Sequence, residues 1–302
     1  MAPPAERPSS DRAGGLTNLQ KRILSAAVLL PLAIAAIVFG APWFNILIAI
    51  FAVAMAWEWT SVVATVRSPG QTKPVPAPSA RGWGVLAAIS AATAALAVWR
   101  ASEWQASGPD WWFVSAWLVI LSGVVVVAIV SLVADRQRAV WYIAGIPYVT
   151  VPAVAVILLR DDPAGLATIV WIVAMVVAAD VGGYLVGRTV GGPKLVPRIS
   201  PNKTWSGLGG AVLGAALAGL CMAFILNHTN VWMLTLISAV IGLLEQGGDL
   251  VESAFKRHFG VKDTSQIIPG HGGVLDRVDG LLAVAVAVLV INLWAGGSVL
   301  AW

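Results

Sequence analysis

The chain has 302 residues, 58% of them hydrophobic and 11% charged, where an ordinary soluble domain carries roughly 25% charged residues. That balance excludes a soluble globular fold and makes the chain an all-α, polytopic integral membrane protein. The net charge of +4 comes from basic residues scattered between apolar stretches, a pattern that orients membrane spans and excludes a nucleic-acid surface.

In chain order, residues 1–20 are rich in Pro, Ala, Ser and Gly and are expected to form a disordered cytoplasmic tail. Nine apolar stretches follow, at 22–41, 43–65, 83–100, 112–134, 139–159, 165–187, 207–227, 231–254 and 279–300. Each has about the 20 residues needed to cross a hydrocarbon core. The first has Lys21 and Arg22 ahead of it, as a signal peptide would, but it is longer than a signal core and reads as a retained span. The loop 67–81, RSPGQTKPVPAPSAR, has too few large apolar groups to fold alone. The lone Cys221 lies in an apolar run, so no disulfide forms within the chain, and core packing is its expected role.

Threading nine spans from a cytoplasmic N-terminus leaves only Arg100 and Arg160 on the far side, with every other Lys and Arg inside. The chemistry-bearing residues gather on that inner side of the C-terminal half, where a polar active-site cleft is expected. Residues 21–160 are accordingly read as N-terminal transmembrane helices and 161–302 as a C-terminal catalytic region. Glu58, between Trp57 and Trp59, is an intramembrane carboxylate with no assigned role.

In DVGGYLVGR, helical spacing puts Asp180, Tyr184, Gly187 and Arg188 on one face, so that carboxylate, phenol and guanidinium point into one cleft; a structural Asp–Arg pair is the plainer alternative. The next segment, TVGGPKLVPRISPNKTW, holds three prolines with Lys194, Arg198 and Lys203 and cannot be a regular helix. Its cations and backbone N–H groups suit a polyphosphate, although positive-inside topology explains some of the charge. The eighth span ends in LLEQGGDLVESAFKR, where Glu245, Asp249, Glu252, Ser253 and Lys256 recur at helical spacing. An unpaired carboxylate at that depth is costly, and a cation is its natural partner.

Between the last two spans, Ser253 to Asp279 reads SAFKRHFGVKDTSQIIPGHGGVLDRVD. Gly270, Gly272 and Gly273 around His271 permit a tight loop, and Asp276 and Asp279 lie three apart at the start of the ninth helix. Helix capping accounts for those two aspartates taken alone. Facing Asp249, they could instead hold hard divalent cations, while Lys256, Arg257, Lys262 and Arg277 take phosphate charge. His271 could pack the loop, contact phosphate or act as a base; a phosphate monoester is already a competent nucleophile near neutral pH, which favours the first two.

The pattern S-x-x-K-R-x4-K-D-x5-P-G-H-G-G-x-x-D-R-x-D in this stretch resembles the fingerprint of bacterial phosphatidate cytidylyltransferases, the CDP-diacylglycerol synthases. Ser200-Pro-Asn-Lys-Thr204 is similar to that family's S-P-x-K-T element, but the W-E-G that usually follows is Trp205-Ser206-Gly207 here. The resemblance covers Asp180 to Asp279 and implies the reaction of CTP with phosphatidic acid to give CDP-diacylglycerol and pyrophosphate. It further implies Mg2+, with a monovalent cation such as K+ as a second ion, a homodimer, and a multi-pass place in the bacterial inner membrane. On this reading Asp249, Asp276, Lys203, Lys256, Arg257 and Arg277 are the catalytic candidates, and Asp249, Asp276, Glu245 and Asp279 the metal ligands. Asp180, Tyr184, Arg188, Lys194, Ser200, Thr204, Ser253, Lys262, His271, Gly272 and Gly273 are the substrate-binding candidates.

Two rivals are weighed. A CDP-alcohol phosphotransferase needs D-x-x-D-G-x-x-A-R followed by further aspartates; Asp276, Asp279, Gly280 and Ala283 imitate its start, but Val284 stands at the arginine and no acidic residue follows. A cation-coupled transporter using Asp180, Glu245 and Asp249 predicts polar residues on both sides and an inverted repeat, and the sequence has neither feature.

Overall fold

The computed structural model describes residues 17–66, 75–76, 83–102 and 109–301 of the chain. Nine helices among the described residues are long and apolar enough to cross a membrane. They are α1 (Asn18–Phe39), α2 (Trp43–Val63), α3 (Trp83–Ser102), α4 (Pro109–Ala134), α5 (Ala139–Asp161), α6 (Gly165–Thr189), α7 (Trp205–Ile225), α8 (Val231–His258) and α9 (Leu275–Ala295). Two small antiparallel hairpins interrupt this all-α plan: β1 (Thr65–Val66) with β2 (Val75–Pro76), and β3 (Lys194–Val196) with β4 (Ser200–Thr204). The expected tail over 1–20 and the loop 67–81 lie largely outside the described residues; the described part of the tail is Thr17 and the first residues of α1. Thr17 caps α1 in a reciprocal capping box with Gln20, which is why that helix starts earlier than the apolar run alone indicates.

The α5 helix is central, packing against α2, α3, α4 and α9. One continuous core runs from Phe44 in α2 through Tyr142 and Ile157 in α5 to Trp171 in α6 and Val288 in α9, crossing position 160 without a break. By contrast, α1 is barely buried and turns Leu24, Leu30, Leu32 and Phe39 outward, as a helix bathed in lipid does. Hydrogen bonds hold it at both ends: Arg22 Nε donates to Gly270 O at 2.9 Å, and Arg160 Nε donates to Ile37 O at 3.0 Å.

In the C-terminal half the helix spacing is set by glycine. A Cβ at Gly182 would stand 2.4 Å from Gly210 O, one at Gly210 would stand 2.5 Å from Gly182 O, and one at Gly214 would stand 2.2 Å from Ala178 O. The backbones of α6 and α7 therefore touch, which only residues without side chains permit. Gly242 of α8 sits equally close to Ala215 of α7.

Two expectations are corrected. Cys221 is exposed: it shares the outer face of α7 with Leu217 and Phe224, so the helical period carries it toward lipid and away from the core. The last helix begins at Leu275 and ends at Ala295, about a turn earlier than the 279–300 reading. Glu58 accepts hydrogen bonds from the first backbone N–H groups of this helix, and Gly296, at φ 73°, stops it.

Candidate active site

The non-helical segment after α6 turns at Gly191 and Gly192, whose φ values of 64° and 103° favour glycine, and then forms the β3–β4 hairpin with Lys194 opposite Thr204. Thr204 ends the hairpin and caps α7, its Oγ1 accepting from Gly207 N at 3.0 Å. Ser206, which stands where the family pattern has glutamate, bonds Thr204 Oγ1 at 3.0 Å and donates to Gly191 O. It ties the two ends of the segment together.

The hairpin delivers Lys203 to α8. Its Nζ lies 2.5 Å from Asp249 Oδ2 and donates to Gln246 Oε1 at 2.9 Å, while Gln246 Nε2 donates to Glu245 Oε2 at 2.8 Å. Ser253, one turn on, donates to Asp249 Oδ1 at 3.1 Å. Around Lys203 lies a polar cleft of about 520 Å3, lined by Asp180, Tyr184, Gly187 and Arg188 of α6, by Lys194, Asn202 and Thr204 of the hairpin, and by Gln246 and Asp249 of α8. The shared helix face read from DVGGYLVGR is therefore the cleft wall, and within it Arg188 donates to the Tyr184 hydroxyl.

Beyond Asp249, deeper between α8 and α9, three carboxylates converge. Asp249, Glu252 and Asp279 each place an oxygen within 4.8 Å of the other two. Glu252 is fully buried, with Lys256 Nζ 2.5 Å from its Oε2. The same Nζ reaches Asp276 Oδ1 at 2.8 Å. Lys203 thus pairs with Asp249 and Lys256 with both Glu252 and Asp276, so that two ammonium groups stand among the four carboxylates of Asp249, Glu252, Asp276 and Asp279. The excess of carboxylates over ammonium groups and the all-oxygen donor set fit a hard divalent cation.

Two expected ligands are placed elsewhere. Asp276 turns toward the preceding loop, accepting from Thr264 N at 2.9 Å, Thr264 Oγ1 at 3.0 Å and Gly273 N at 2.9 Å. With Lys256 added, its oxygens are largely occupied, and Glu252 takes the third place in the cluster. Glu245 is buried against Gly280, where an added Cβ would meet its Oε1 at 2.5 Å, and it is bonded to Gln246. Four of the other candidates are also accounted for structurally. Arg257 spends its guanidinium on Ile199 O at 3.3 Å and Val261 O at 3.1 Å, pinning the hairpin to the end of α8. His271 Nδ1 is 2.8 Å from Ser25 Oγ on α1, and Gly272, at φ 92°, pairs with Ile268 in an isolated bridge. Gly273 leaves no room for a side chain, since a Cβ would fall 2.1 Å from Thr264 Oγ1 and 2.8 Å from Glu58 Oε1. Ser200 is half-buried in the hairpin, Lys262 is exposed on the loop and Arg277 is exposed on α9.

Glu58 is the residue whose part here the sequence left open. From α2 it crosses to the loop and accepts from Ser265 Oγ at 2.6 Å, Val274 N at 2.8 Å, Leu275 N at 2.8 Å and Thr264 Oγ1 at 3.3 Å. Gln246, Asn202 and Glu252 were likewise not among the candidates; for Gln246 and Glu252 the only sequence signal is their place within the polar end of α8.

Residues 20–294 match the cytidylyltransferase family. The chain belongs to that family. Among its relatives, the phosphatidate cytidylyltransferase of Brucella suis biovar 1 (strain 1330) is 35% identical over 280 residues, spanning 89% of this chain and 92% of its own length. That of Staphylococcus epidermidis (strain ATCC 35984) is 48% identical over 121 residues, 40% of this chain and 46% of its own, and that of Staphylococcus aureus (strain COL) is 46% identical over 121 residues. A cytidylyltransferase must bring together a nucleotide and an acceptor, and in this chain the cleft and the acidic cluster meet at Asp249.

Proposed function

We propose that this protein transfers the cytidylyl group of CTP to phosphatidic acid, giving CDP-diacylglycerol and pyrophosphate, a step of phospholipid biosynthesis. The observation that carries the reading is the junction at Asp249 of a cation-lined polar cleft and a buried acidic cluster, inside the membrane-spanning region of a cytidylyltransferase. The Brucella relative, named a phosphatidate cytidylyltransferase, supports it along 89% of this chain. N-terminal helices 21–160 form the scaffold and 161–302 carry the reaction. The Lys and Arg distribution supports a cytoplasmic N-terminus and a site open to the cytoplasm, in a bacterial inner membrane, with the protein acting as a homodimer.

The triphosphate lies in the cleft, where Arg188, Lys194 and Lys203 offset its charge and the Gly191–Gly192 turn lets the backbone approach. Asp180, Tyr184, Ser200 and Thr204 supply neutral and acceptor groups for the nucleotide. The lipid phosphate oxygen attacks the α-phosphorus in line, forming the new P–O bond as the bond to the β-phosphate oxygen breaks. A phosphate monoester needs no separate base, so the protein's work is to position two polyanions and neutralise their repulsion. Lys256, held between Glu252 and Asp276, and Arg277 offer cations on the lipid side. Asp249, Glu252 and Asp279 would hold Mg2+, which when bound supplies Lewis-acid neutralisation of phosphate oxygens. Asp276 acts by fixing Lys256 and the glycine loop; Arg257, Lys262, Ser253, His271, Gly272 and Gly273 shape the surrounding loop and helix end.

The test uses purified protein in detergent with labelled CTP, phosphatidate and Mg2+. A chloroform-soluble labelled product that forms with release of pyrophosphate, and is lost on chelation, is the expected result. Absence of that product from folded protein over the full range of Mg2+ would overturn the reading.

A further inference from the structure

The acidic cluster has a second approach. Opposite the polar cleft, a groove of about 460 Å3 runs between α5, α8 and α9, with a lining that is apolar apart from Tyr148 and Asp279. Val251, 57% exposed, borders it on α8, and Val151 and Val286 line it from α5 and α9. In a membrane-spanning bundle such an exposed valine faces lipid, so the groove opens sideways into the bilayer. Its volume falls in the usual range for small-ligand sites, about 300–1,000 Å3.

The groove's shape follows from the sequence. Near one end α5 and α8 are joined by aromatic rings, Trp59 of α2 stacking on Phe255 at 3.8 Å and Trp141 lying 6.0 Å from Phe255. Away from that plug Pro147 and Pro152 interrupt the hydrogen-bond ladder of α5, and Gly248 gives α8 no side chain on the groove floor.

We propose that this groove seats an acyl chain of the phosphatidic acid substrate, so that lipid and nucleotide reach the acidic cluster from opposite sides. The inference rests on the cytidylyl-transfer reading and adds where the lipid enters. Continuity is its main support, because Asp279 lines the groove and is also a member of the cluster. Tyr148 lines the groove together with Asp279 and packs against Trp59 at 4.7 Å. A larger groove of about 660 Å3 between α2 and α3 has no charged lining residue and does not touch the cluster, so it offers a headgroup nothing.

Two measurements test this on the full chain in phosphatidylcholine nanodiscs. In the first, a trace of phosphatidate with a diazirine in its acyl chain is photolysed. Label is expected on the Val151 and Val251 peptides, competed by unlabelled phosphatidate and reduced in Val251→Trp, while label near Ile50 in the α2–α3 groove is uncompeted bulk lipid. Label at Val151 and Val251 that resists competition, or that is unchanged in Val251→Trp, overturns the proposal. In the second, the ratio of kcat/KM for dioleoyl over dihexanoyl phosphatidate is expected to fall about tenfold or more in Val151→Trp and Val251→Trp. An unchanged ratio overturns the proposal, because a general packing defect lowers both substrates alike. Competed label without any turnover of phosphatidate would uphold the groove and defeat the reaction assignment, so the two failures are distinct.

Discussion

The carboxylate of Glu58 accepts the backbone N–H of Leu275 at 2.8 Å, across 217 residues of sequence. A fully buried acid on α2 thereby meets the positive end of α9, the helix that carries Asp276 and Asp279, and both its oxygens are satisfied by donors from 264–275. The N-terminal bundle thus fixes the position of the C-terminal site.

Glu58→Gln replaces one acceptor oxygen by an amide donor that faces N–H and O–H donors. Hydrogen bonds to charged groups contribute about 1.5–3 kcal/mol each, so the variant is expected to melt several degrees lower in detergent and to lose about tenfold in turnover. Fluorescence-detected unfolding and the lipid-product assay check this; wild-type behaviour in both would mean that the loop does not depend on Glu58.

Lys203→Met leaves Asp249 and Gln246 without their cation and removes a charge from the cleft. A loss of about a hundredfold in kcat/KM for CTP is expected, with Lys203→Arg keeping part of the activity. Equal activity of the Met variant and the wild type would remove Lys203 from the nucleotide site.

Glu252→Gln and Asp276→Asn separate cation binding from loop support. The first is expected to weaken Mn2+ binding, read by electron paramagnetic resonance without turnover, by about tenfold or more, with a fall in melting temperature limited to the loss of its ion pair with Lys256. The second loosens Thr264, Gly273 and Lys256 and is expected to lower the melting temperature with a smaller change in Mn2+ affinity. The reverse pattern would return Asp276 to the ion and Glu252 to a packing role. Asp249→Asn, which touches both cleft and cluster, is expected to lower turnover by orders of magnitude in folded protein.

Gly210→Val and Gly209→Val provide a packing test one residue apart. A Cβ at Gly210 would meet Gly182 O at 2.5 Å and Val186 Cβ at 2.6 Å, whereas one at Gly209 meets nothing within 4 Å. Overpacking costs about 1–3 kcal/mol, so only Gly210→Val is expected to lower the melting temperature markedly. Similar melting of the two variants would show that α6 and α7 do not depend on close contact.

Much of the fold was legible because membrane insertion is a local constraint. Apolar length fixes a span, so the nine long apolar helices among the described residues followed from composition taken window by window. Helical period alone also aligned Asp180, Tyr184 and Arg188 on one cleft wall. Period without a partner is ambiguous, and Cys221 is the example: an apolar run looks the same whether it faces core or lipid.

What only the tertiary structure decided is which polar groups meet. The sequence placed Asp249, Glu252, Asp276 and Asp279 near one another, but a carboxylate's role depends on which donors reach it first. Thr264, Gly273 and Lys256 occupy Asp276, while Glu252 is paired with Lys256 through one oxygen and stands beside Asp249 and Asp279. Glu58 had no readable partner because its donors lie more than 200 residues away, brought to it by the packing of α2, α5 and α9. The residue types that can do the chemistry are written locally in this chain. Their pairing is a matter of ångström-scale distances between helices, and those are set by glycine contacts and buried side chains that no single stretch of sequence contains.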